Sequence, residues 1–256
     1  MLSTRQQHCL QGMGIRLWRD REALEAREPS PQPNSDAGQE AQPRPATPLR
    51  PAATTPAQET THREVRHYPL EDWDQLLQGI EACHNCALGD HCTRKVPGKG
   101  NREAELMIIG EAPGAQEDRQ GLPFVGRAGQ LLDRMLKAID LSTEQVYITN
   151  ILKCRPPNNR DPSPEEVTAC QPFLQAQIRL LKPRVILSVG RISAQNLLQQ
   201  HTALGQLRQQ VHRLPGTDIP LIVTYHPAYL LRNPRDKGKA WDDLVKIIEI
   251  YNNPDK

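Results

Sequence analysis

The sequence predicts an α/β protein with three layers, in which a four-stranded parallel sheet lies between two layers of helices. Four short apolar runs that are rich in β-branched residues recur after residue 100. Such runs are typical of parallel strands that are buried on both faces. Segments with the spacing of amphipathic helices separate the runs, and strands that alternate with helices form a sheet covered on both sides.

Each predicted element corresponds to a definite stretch of sequence. The four strands are ELMIIGE (105–111), VYITNIL (146–152), RVILSVG (184–190) and PLIVTYHP (220–227). The helices are GRAGQLLDRMLKAIDL, SPEEVTACQPFLQAQIRLL, RISAQNLLQQ and KAWDDLVKIIEIYNN. Ser163 and Glu166 have the spacing of a capping box, which predicts that the second of these helices begins just after Ser163.

The composition changes along the chain and divides it into three parts. Eight of the 23 prolines lie between Pro29 and Pro56, among almost no apolar residues. Such a segment cannot bury enough surface to offset its chain entropy, so residues 27–66 are predicted to be a disordered linker. Residues 1–26 carry apolar side chains at helical spacing and are predicted to be a docking segment, with an extension packed on its own domain as the alternative. Residues 67–256 are predicted to form the α/β domain.

Charge and hydropathy exclude several classes of protein. The formal net charge is +2 over 256 residues, a balance that permits binding to nucleic acid without indicating it. No apolar run reaches the ~18 residues that span a bilayer, and the N-terminus lacks the apolar core of a secretory signal. We therefore expect a cytoplasmic protein, in which clustered cysteines indicate metal binding more than disulfides.

Four of the six cysteines fall in two regions that could form one metal site. Cys83 and Cys86 form a C-x2-C pair, Cys154 follows the second predicted strand, and Cys170 lies sixteen residues later. Four thiolates suit zinc or a [4Fe–4S] cluster, and the spacing does not choose between them. Cys92 is a rival ligand, and the alternative is that Cys154 and Cys170 are ordinary buried thiols.

Chemically distinctive side chains follow three of the predicted strands. Glu111 and a glycine-rich loop containing Phe124 follow the first strand, Asn150 lies in the second, and His226 ends the fourth. Because the carboxyl ends of parallel strands meet at one edge of a sheet, we expect these groups to converge there.

The chemistry of these side chains suits a nucleobase. A carboxamide can pair with the edge of a pyrimidine, a phenyl ring can stack on a base, and an imidazole can donate a hydrogen bond to an oxygen that gains negative charge. Each group alone has a structural alternative: Asn150 as a turn cap, Phe124 as a core residue, and His226 as a partner of a carbonyl group. Their placement on successive strand ends favours the functional interpretation.

The glycine-rich loop does not match the usual phosphate-binding motifs. It lacks both G-x-x-x-x-G-K-[ST] and a G-x-G-x-x-G at the strand end. Glu111, Glu117 and Asp118 would also repel a nucleotide triphosphate unless a metal ion intervened. These features count against a kinase or a dehydrogenase.

Several separated motifs together resemble one family, the iron–sulfur or family 4 uracil-DNA glycosylases. The matching stretches are CHNCALGDHC, GEAPGAQEDRQGLPFVGRAGQLLDRML, VYITNILKCRPPNNRDPSPEEVTAC and YHPAYLLR, which occur in order between residues 76 and 252. The resemblance implies the uracil-DNA glycosylase fold, uracil-containing DNA as the substrate, and hydrolysis of the N-glycosidic bond to begin base excision repair. A flipped-out base is what such an enzyme must bind.

The resemblance also implies roles for particular residues. A [4Fe–4S] cluster would be held by Cys83, Cys86, Cys154 and Cys170. In the base pocket, which Gly110 and Ala112 would help to line, Phe124 would stack on uracil and Asn150 would reject cytosine. Glu111 and Glu117 would shape the pocket and help to place water, and His226 would stabilise the uracil O2 as the bond breaks.

One position departs from the best-known relatives, which carry an aspartate that orients water where this chain has Ala112. Glu117 is the expected substitute. We also expect turnover rather than covalent trapping, because the segment between Cys154 and Cys170 has no histidine. The alternatives are a non-catalytic, replisome-tethered DNA-binding protein with this fold, and a zinc-bound α/β protein.

The N-terminal stretch QQHCLQGMGIRLW resembles the start of the psi subunit of the bacterial DNA polymerase III clamp loader. This resemblance implies that clamp-loader subunits are partners of residues 1–26. The linker would then tether the glycosylase domain and raise its local concentration at the replisome.

Overall fold

The protein is described by a computed structural model, which covers residues 66–252 and two helical positions nearer the N-terminus, Gln7 and Gln11. Apart from Gln7 and Gln11, the predicted docking segment lies outside the described residues. The predicted linker also lies outside them, except for its last residue, Arg66. The boundaries of those two parts therefore stay predictions.

Within residues 66–252, the sheet has six strands rather than the predicted four. They are β1 (Lys99–Gly100), β2 (Leu106–Gly110), β3 (Tyr147–Asn150), β4 (Val185–Val189), β5 (His212–Arg213) and β6 (Pro220–Thr224), in the spatial order β1-β3-β2-β4-β6-β5. The four central strands are parallel, as predicted, and β1 and β5 pair antiparallel at the two edges. The prediction missed β1 and β5 because a two-residue strand is too short to show a hydrophobic period.

Nine α-helices connect or flank the strands within residues 66–252. They are α1 (Trp73–Glu81), α2 (Leu88–His91), α3 (Ala115–Gln120), α4 (Arg127–Ala138), α5 (Pro164–Leu181), α6 (Arg191–Leu198), α7 (Leu204–Leu207), α8 (Pro227–Arg232) and α9 (Lys237–Asn252). The predicted capping box is confirmed, because the Ser163 side chain accepts from the Glu166 amide and the Glu166 side chain accepts from the Ser163 amide. None of these helices combines the length and the apolar character needed to cross a bilayer.

The sheet is buried on both faces, which confirms the three-layer architecture. Successive residues of a strand point to opposite faces, so Leu106 and Ile108 join one apolar cluster while Met107 and Ile109 join another. Helices α4, α8 and α9 cover the first face, and α1, α5 and α6 cover the second. A sheet with two covered faces leaves its carboxyl edge as the place where loops can form a site.

Candidate active site

Gly110 and Asn150 lie side by side at the carboxyl edge, where they are register partners at the ends of β2 and β3. The Asn150 side chain is almost fully buried, with 2% exposure. A Cβ built on Gly110 would lie 2.3 Å from Asn150 Oδ1 and 2.8 Å from Phe124 Cζ. Three residues from distant parts of the chain therefore meet at one point, and only a residue without a side chain fits between the other two.

Phe124 is held in this position by an unusual backbone. Its φ angle is 52°, in the left-handed region that non-glycine residues seldom adopt. A Cβ on Gly129 would lie 1.9 Å from the Phe124 carbonyl oxygen, so the absence of a side chain there lets α4 pack directly on the loop. The Phe124 ring lies against the His226 imidazole, with ring centroids 5.8 Å apart and an interplanar angle of 29°.

His226 is oriented by the helix that it caps. Its Nδ1 accepts a hydrogen bond of 3.1 Å from the Ala228 amide at the start of α8. Burial, aided by the positive charge of Arg232, lowers the pKa of His226 to about 4. The imidazole is therefore neutral near pH 7, and because Nδ1 is an acceptor, the proton lies on Nε2. His226 can donate one hydrogen bond through Nε2.

The two glutamates of the loop have different environments. Glu117 Oε1 accepts hydrogen bonds from the amides of Val125 (3.0 Å) and Gly126 (3.1 Å), so this carboxylate braces the backbone just after Phe124. Glu111 follows β2, and burial, together with the negative charge of Asp161, raises its pKa to about 7. A pKa near 7 suits a group that transfers a proton near neutral pH.

Two further members of the predicted loop have packing roles. Ala112 is half-buried and packs against the apolar cluster on the second face of the sheet. Asp118, interpreted above only as a negative charge, is buried and accepts from the amide (2.9 Å) and the hydroxyl (2.7 Å) of Thr93. It ties the loop to the segment that follows the first cysteines.

The four predicted ligand cysteines line one cavity. Cys83 and Cys86 come from the chain after α1, Cys154 from the loop after β3 and Cys170 from α5, and all four border this cavity together with apolar side chains such as Phe173. Cys92 lies beside it and contacts Cys154 and the Lys95 ammonium. Within residues 66–252, no three His, Cys, Asp or Glu side chains are grouped closely enough to hold a metal ion.

Sequence reasoning missed Lys153, which lies between the cysteine cavity and Asn150. Its side chain is buried, and burial lowers its pKa to about 8 although the neighbouring Cys170 and Cys154 oppose this shift. The only available signal was a lysine in the otherwise apolar stretch ITNILKC. A lysine in this position is equally typical of the solvated end of a strand, so the sequence does not indicate that it is buried.

Comparisons with known proteins show which family the sequence matches. Residues 97–245 match the Uracil DNA glycosylase superfamily. The chain is 43% identical over 187 residues to a type-4 uracil-DNA glycosylase of Archaeoglobus fulgidus, which covers 71% of this chain and 94% of the relative. It is 44% identical over 180 residues to the type-4 enzyme of Pyrobaculum aerophilum, covering 68% and 92%, and 42% identical over 169 residues to that of Thermotoga maritima, covering 65% and 87%.

These matches give no support to the resemblance between residues 1–26 and a clamp-loader subunit, which stays a prediction. More distant similarity extends to a type-5 uracil-DNA glycosylase of Thermus thermophilus, which is 38% identical over 120 residues, or 41% of this chain and 54% of the relative.

Proposed function

This chain belongs to the type-4 uracil-DNA glycosylases of the Uracil DNA glycosylase superfamily, and we propose that it binds a uracil flipped out of DNA and hydrolyses the bond between the base and the sugar. The observation that carries the proposal is the convergence of Gly110, Phe124 and Asn150 at the carboxyl edge of the sheet, with His226 in contact with Phe124.

Asn150 supplies the selectivity for uracil. Uracil presents an N3–H donor beside the O4 acceptor, and a carboxamide offers the complementary oxygen and NH2 group. Cytosine presents an acceptor and a donor in the reverse order, so at least one buried polar group would be left unpaired, at a cost of roughly 1–3 kcal/mol. Because Asn150 is buried against Gly110, its side chain has little freedom to turn and accept cytosine.

His226 stabilises the leaving group. When the bond between uracil N1 and the sugar C1′ breaks, its electron pair moves onto the base, and negative charge develops on O2. The neutral imidazole of His226 donates through Nε2, since its Nδ1 is engaged by Ala228. A fixed donor directed at a developing oxyanion in a dry site is worth roughly 3–4 kcal/mol of barrier.

Water completes the reaction at C1′, and its proton must be taken up. Glu111 is the better-suited acceptor, because its pKa of about 7 leaves a share of the carboxylate ionised at neutral pH. Glu117 instead shapes the pocket through its hydrogen bonds to the loop backbone. This proposal gives the two glutamates separate tasks, and it assigns to Glu111 the role at the water that was expected of Glu117 in place of an aspartate at Ala112.

A [4Fe–4S] cluster would be held by Cys83, Cys86, Cys154 and Cys170, which supply four thiols to the lining of one cavity. A cubane takes one thiolate at each iron, so its ligands surround a cavity rather than converge on a single ion. The Lys153 amide donates to Cys170 Sγ at 3.3 Å, a contact that stabilises thiolate ligands. When bound, the cluster would act as a cross-link between the segments that carry the cysteines.

The experiment that tests the function uses a duplex oligonucleotide with one U·G pair and the matching single strand. The purified protein should create an alkali-labile abasic site at the uracil and none at a cytosine in the same place. Asn150→Ala and His226→Ala should each lower the rate by two orders of magnitude or more, as the loss of one transition-state contact does. A wild-type protein that binds both oligonucleotides and cuts neither would contradict the proposal.

A further inference from the structure

Lys153 holds the backbone of the base-reading residue. Its Nζ donates to the Asn150 carbonyl oxygen at 2.6 Å, to Thr149 Oγ1 at 2.8 Å and to Gln177 Oε1 at 2.7 Å. These three acceptors use all three donors of the ammonium group. A buried cation is tolerated only when it is paired in this way, so the Lys153 side chain is fixed in one position.

The same residue faces the cysteine cavity. Lys153 lines the cavity, its amide donates to Cys170 Sγ, and its ammonium is close enough to Cys154 and Cys170 to interact with them electrostatically. It lies three residues after Asn150 and directly before Cys154. One residue therefore contacts both sites: the Lys153 side chain bonds to the strand that reads the base, and its amide bonds to a cysteine of the cavity.

A second lysine borders the cysteines and is bonded to other groups. Lys95 Nζ donates to the Gly89 carbonyl oxygen at 2.7 Å and to Cys92 Sγ at 3.3 Å, and it also interacts electrostatically with Cys154. A [4Fe–4S]²⁺ core with four thiolates has a net charge of about −2. The two ammonium groups match that charge, but only Lys153 is bonded to Asn150.

The bonds around Lys153 make this connection rigid. Thr149 Oγ1 donates to the Pro97 carbonyl oxygen at 2.8 Å, and Gln177 Nε2 donates to the same oxygen at 2.6 Å. The Val96 amide donates to the Lys153 carbonyl oxygen at 2.8 Å. Members of a fully satisfied buried hydrogen-bond network hold one another in place. A substitution of one member is therefore expected to change the positions of the others.

We propose that Lys153 is a positioning residue that links the cluster to uracil recognition, since its ammonium balances the charge of the cluster and at the same time fixes the Asn150 carbonyl. This inference rests on the proposed function and its cofactor. Without the cluster, the buried ammonium loses its counter-charge while keeping its three hydrogen-bond acceptors, so we expect the anchor on the Asn150 carbonyl to be weakened. The cluster then affects which base is bound and not only whether the protein stays folded.

The test compares Lys153→Met with the matched control Lys95→Met, in the holoenzyme. Each variant removes one cation beside the cysteines, and each should lower the reduction potential of the cluster, because the more negative reduced form loses a neighbouring positive charge. We would measure binding of two oligonucleotides that carry a non-cleavable 2′-fluoro-deoxyuridine or the corresponding cytidine. Lys153→Met should reduce the preference for uracil by about tenfold or more, the loss expected for a hydrogen bond to a charged group, whereas Lys95→Met should stay within about twofold of wild type.

A double variant shows whether the effect passes through Asn150. In the Asn150→Ala background, Lys153→Met should change the preference for uracil by less than about twofold. Equal losses of the preference for uracil in Lys153→Met and Lys95→Met, or an unchanged loss without the Asn150 side chain, would overturn the inference.

If circular dichroism shows that Lys153→Met is unfolded, Lys153→Gln replaces it in the same comparisons. A wild-type protein that excises no uracil overturns the proposed function and the inference together, whereas an active wild type with a fully selective Lys153 variant overturns the inference alone.

Discussion

Substitution of Gly110 by alanine tests the geometry of the pocket at its most crowded point. The added Cβ would lie 2.3 Å from Asn150 Oδ1 and 2.8 Å from Phe124 Cζ, well inside the 3.5–4.0 Å at which such atoms are in optimal contact. The Asn150 amide is the nearer group and must rotate away, so we expect the loss to fall on base recognition.

The expected magnitude follows from the contacts that Asn150 would lose. Two hydrogen bonds to uracil, at roughly 1–1.5 kcal/mol each, correspond to a decrease of about 30- to 150-fold in kcat/KM. Overpacking in a buried site should also lower the free energy of unfolding by roughly 1–3 kcal/mol. The rate is measured by single-turnover excision from a uracil oligonucleotide, and the stability by thermal denaturation.

Gly205→Ala is the matched control for this substitution. A Cβ at Gly205, in helix α7, would meet no atom within 4 Å, and alanine is favoured over glycine in helices by up to ~1 kcal/mol. This variant should keep wild-type activity and be at least as stable. If Gly110→Ala keeps activity within about threefold of wild type, then Asn150 and Phe124 do not define the pocket in the way argued here.

Three further predictions concern the titratable groups of the site. Burial lowers the pKa of His226 to about 4 in the folded protein, below its ordinary value of 6.5, so the protein should lose stability as the pH falls from 6.5 towards 4. His226→Gln should lose less stability over that range, and equal slopes would contradict the assignment. Glu111 has a pKa of about 7, so kcat/KM should rise with pH through about 7. Asp161→Asn removes a like charge and should shift this rise to lower pH. A rise that stays at the same pH in Asp161→Asn would contradict the role of Glu111. Glu117→Ala removes the acceptor of two backbone amides and should lower both the melting temperature and the activity. Glu117→Gln keeps an acceptor oxygen and should retain most of the stability and the activity. If the glutamine variant is as inactive as the alanine variant, Glu117 is the proton acceptor instead.

The sequence predicted the elements that depend on local pattern. Buried strands such as β2 and β4 show as unbroken apolar runs because both of their faces are covered. The start of α5 was predictable because a capping box is a local hydrogen-bond pattern with fixed spacing. Parallel strands also share a carboxyl edge, which is why residues as distant as Gly110 and Asn150 could be expected to lie together.

The features that were missed depend on contacts between distant parts of the chain. Strands β1 and β5 exist only because a neighbouring strand offers a free edge, and two residues carry no pattern of their own. From the sequence alone, Lys153 is typical of the solvated end of a strand. In the structure it is buried, and Gln177 on helix α5 supplies one of the acceptors that make this burial possible. The proposed division of roles between Glu111 and Glu117 likewise rests on which carboxylate accepts from the loop amides, and a sequence pattern does not show that contact.

The central claim is tested most directly by identifying the product that leaves the DNA. The wild-type protein would be incubated with a duplex that contains one uracil, and the released small molecule and the abasic sites would be quantified together. The account predicts free uracil and abasic sites in equal amounts, with the initial rate of formation of both lower by about a hundredfold or more in Asn150→Ala at the same enzyme concentration. Abasic sites that form equally at cytosine, or strand cleavage without free uracil, would contradict it.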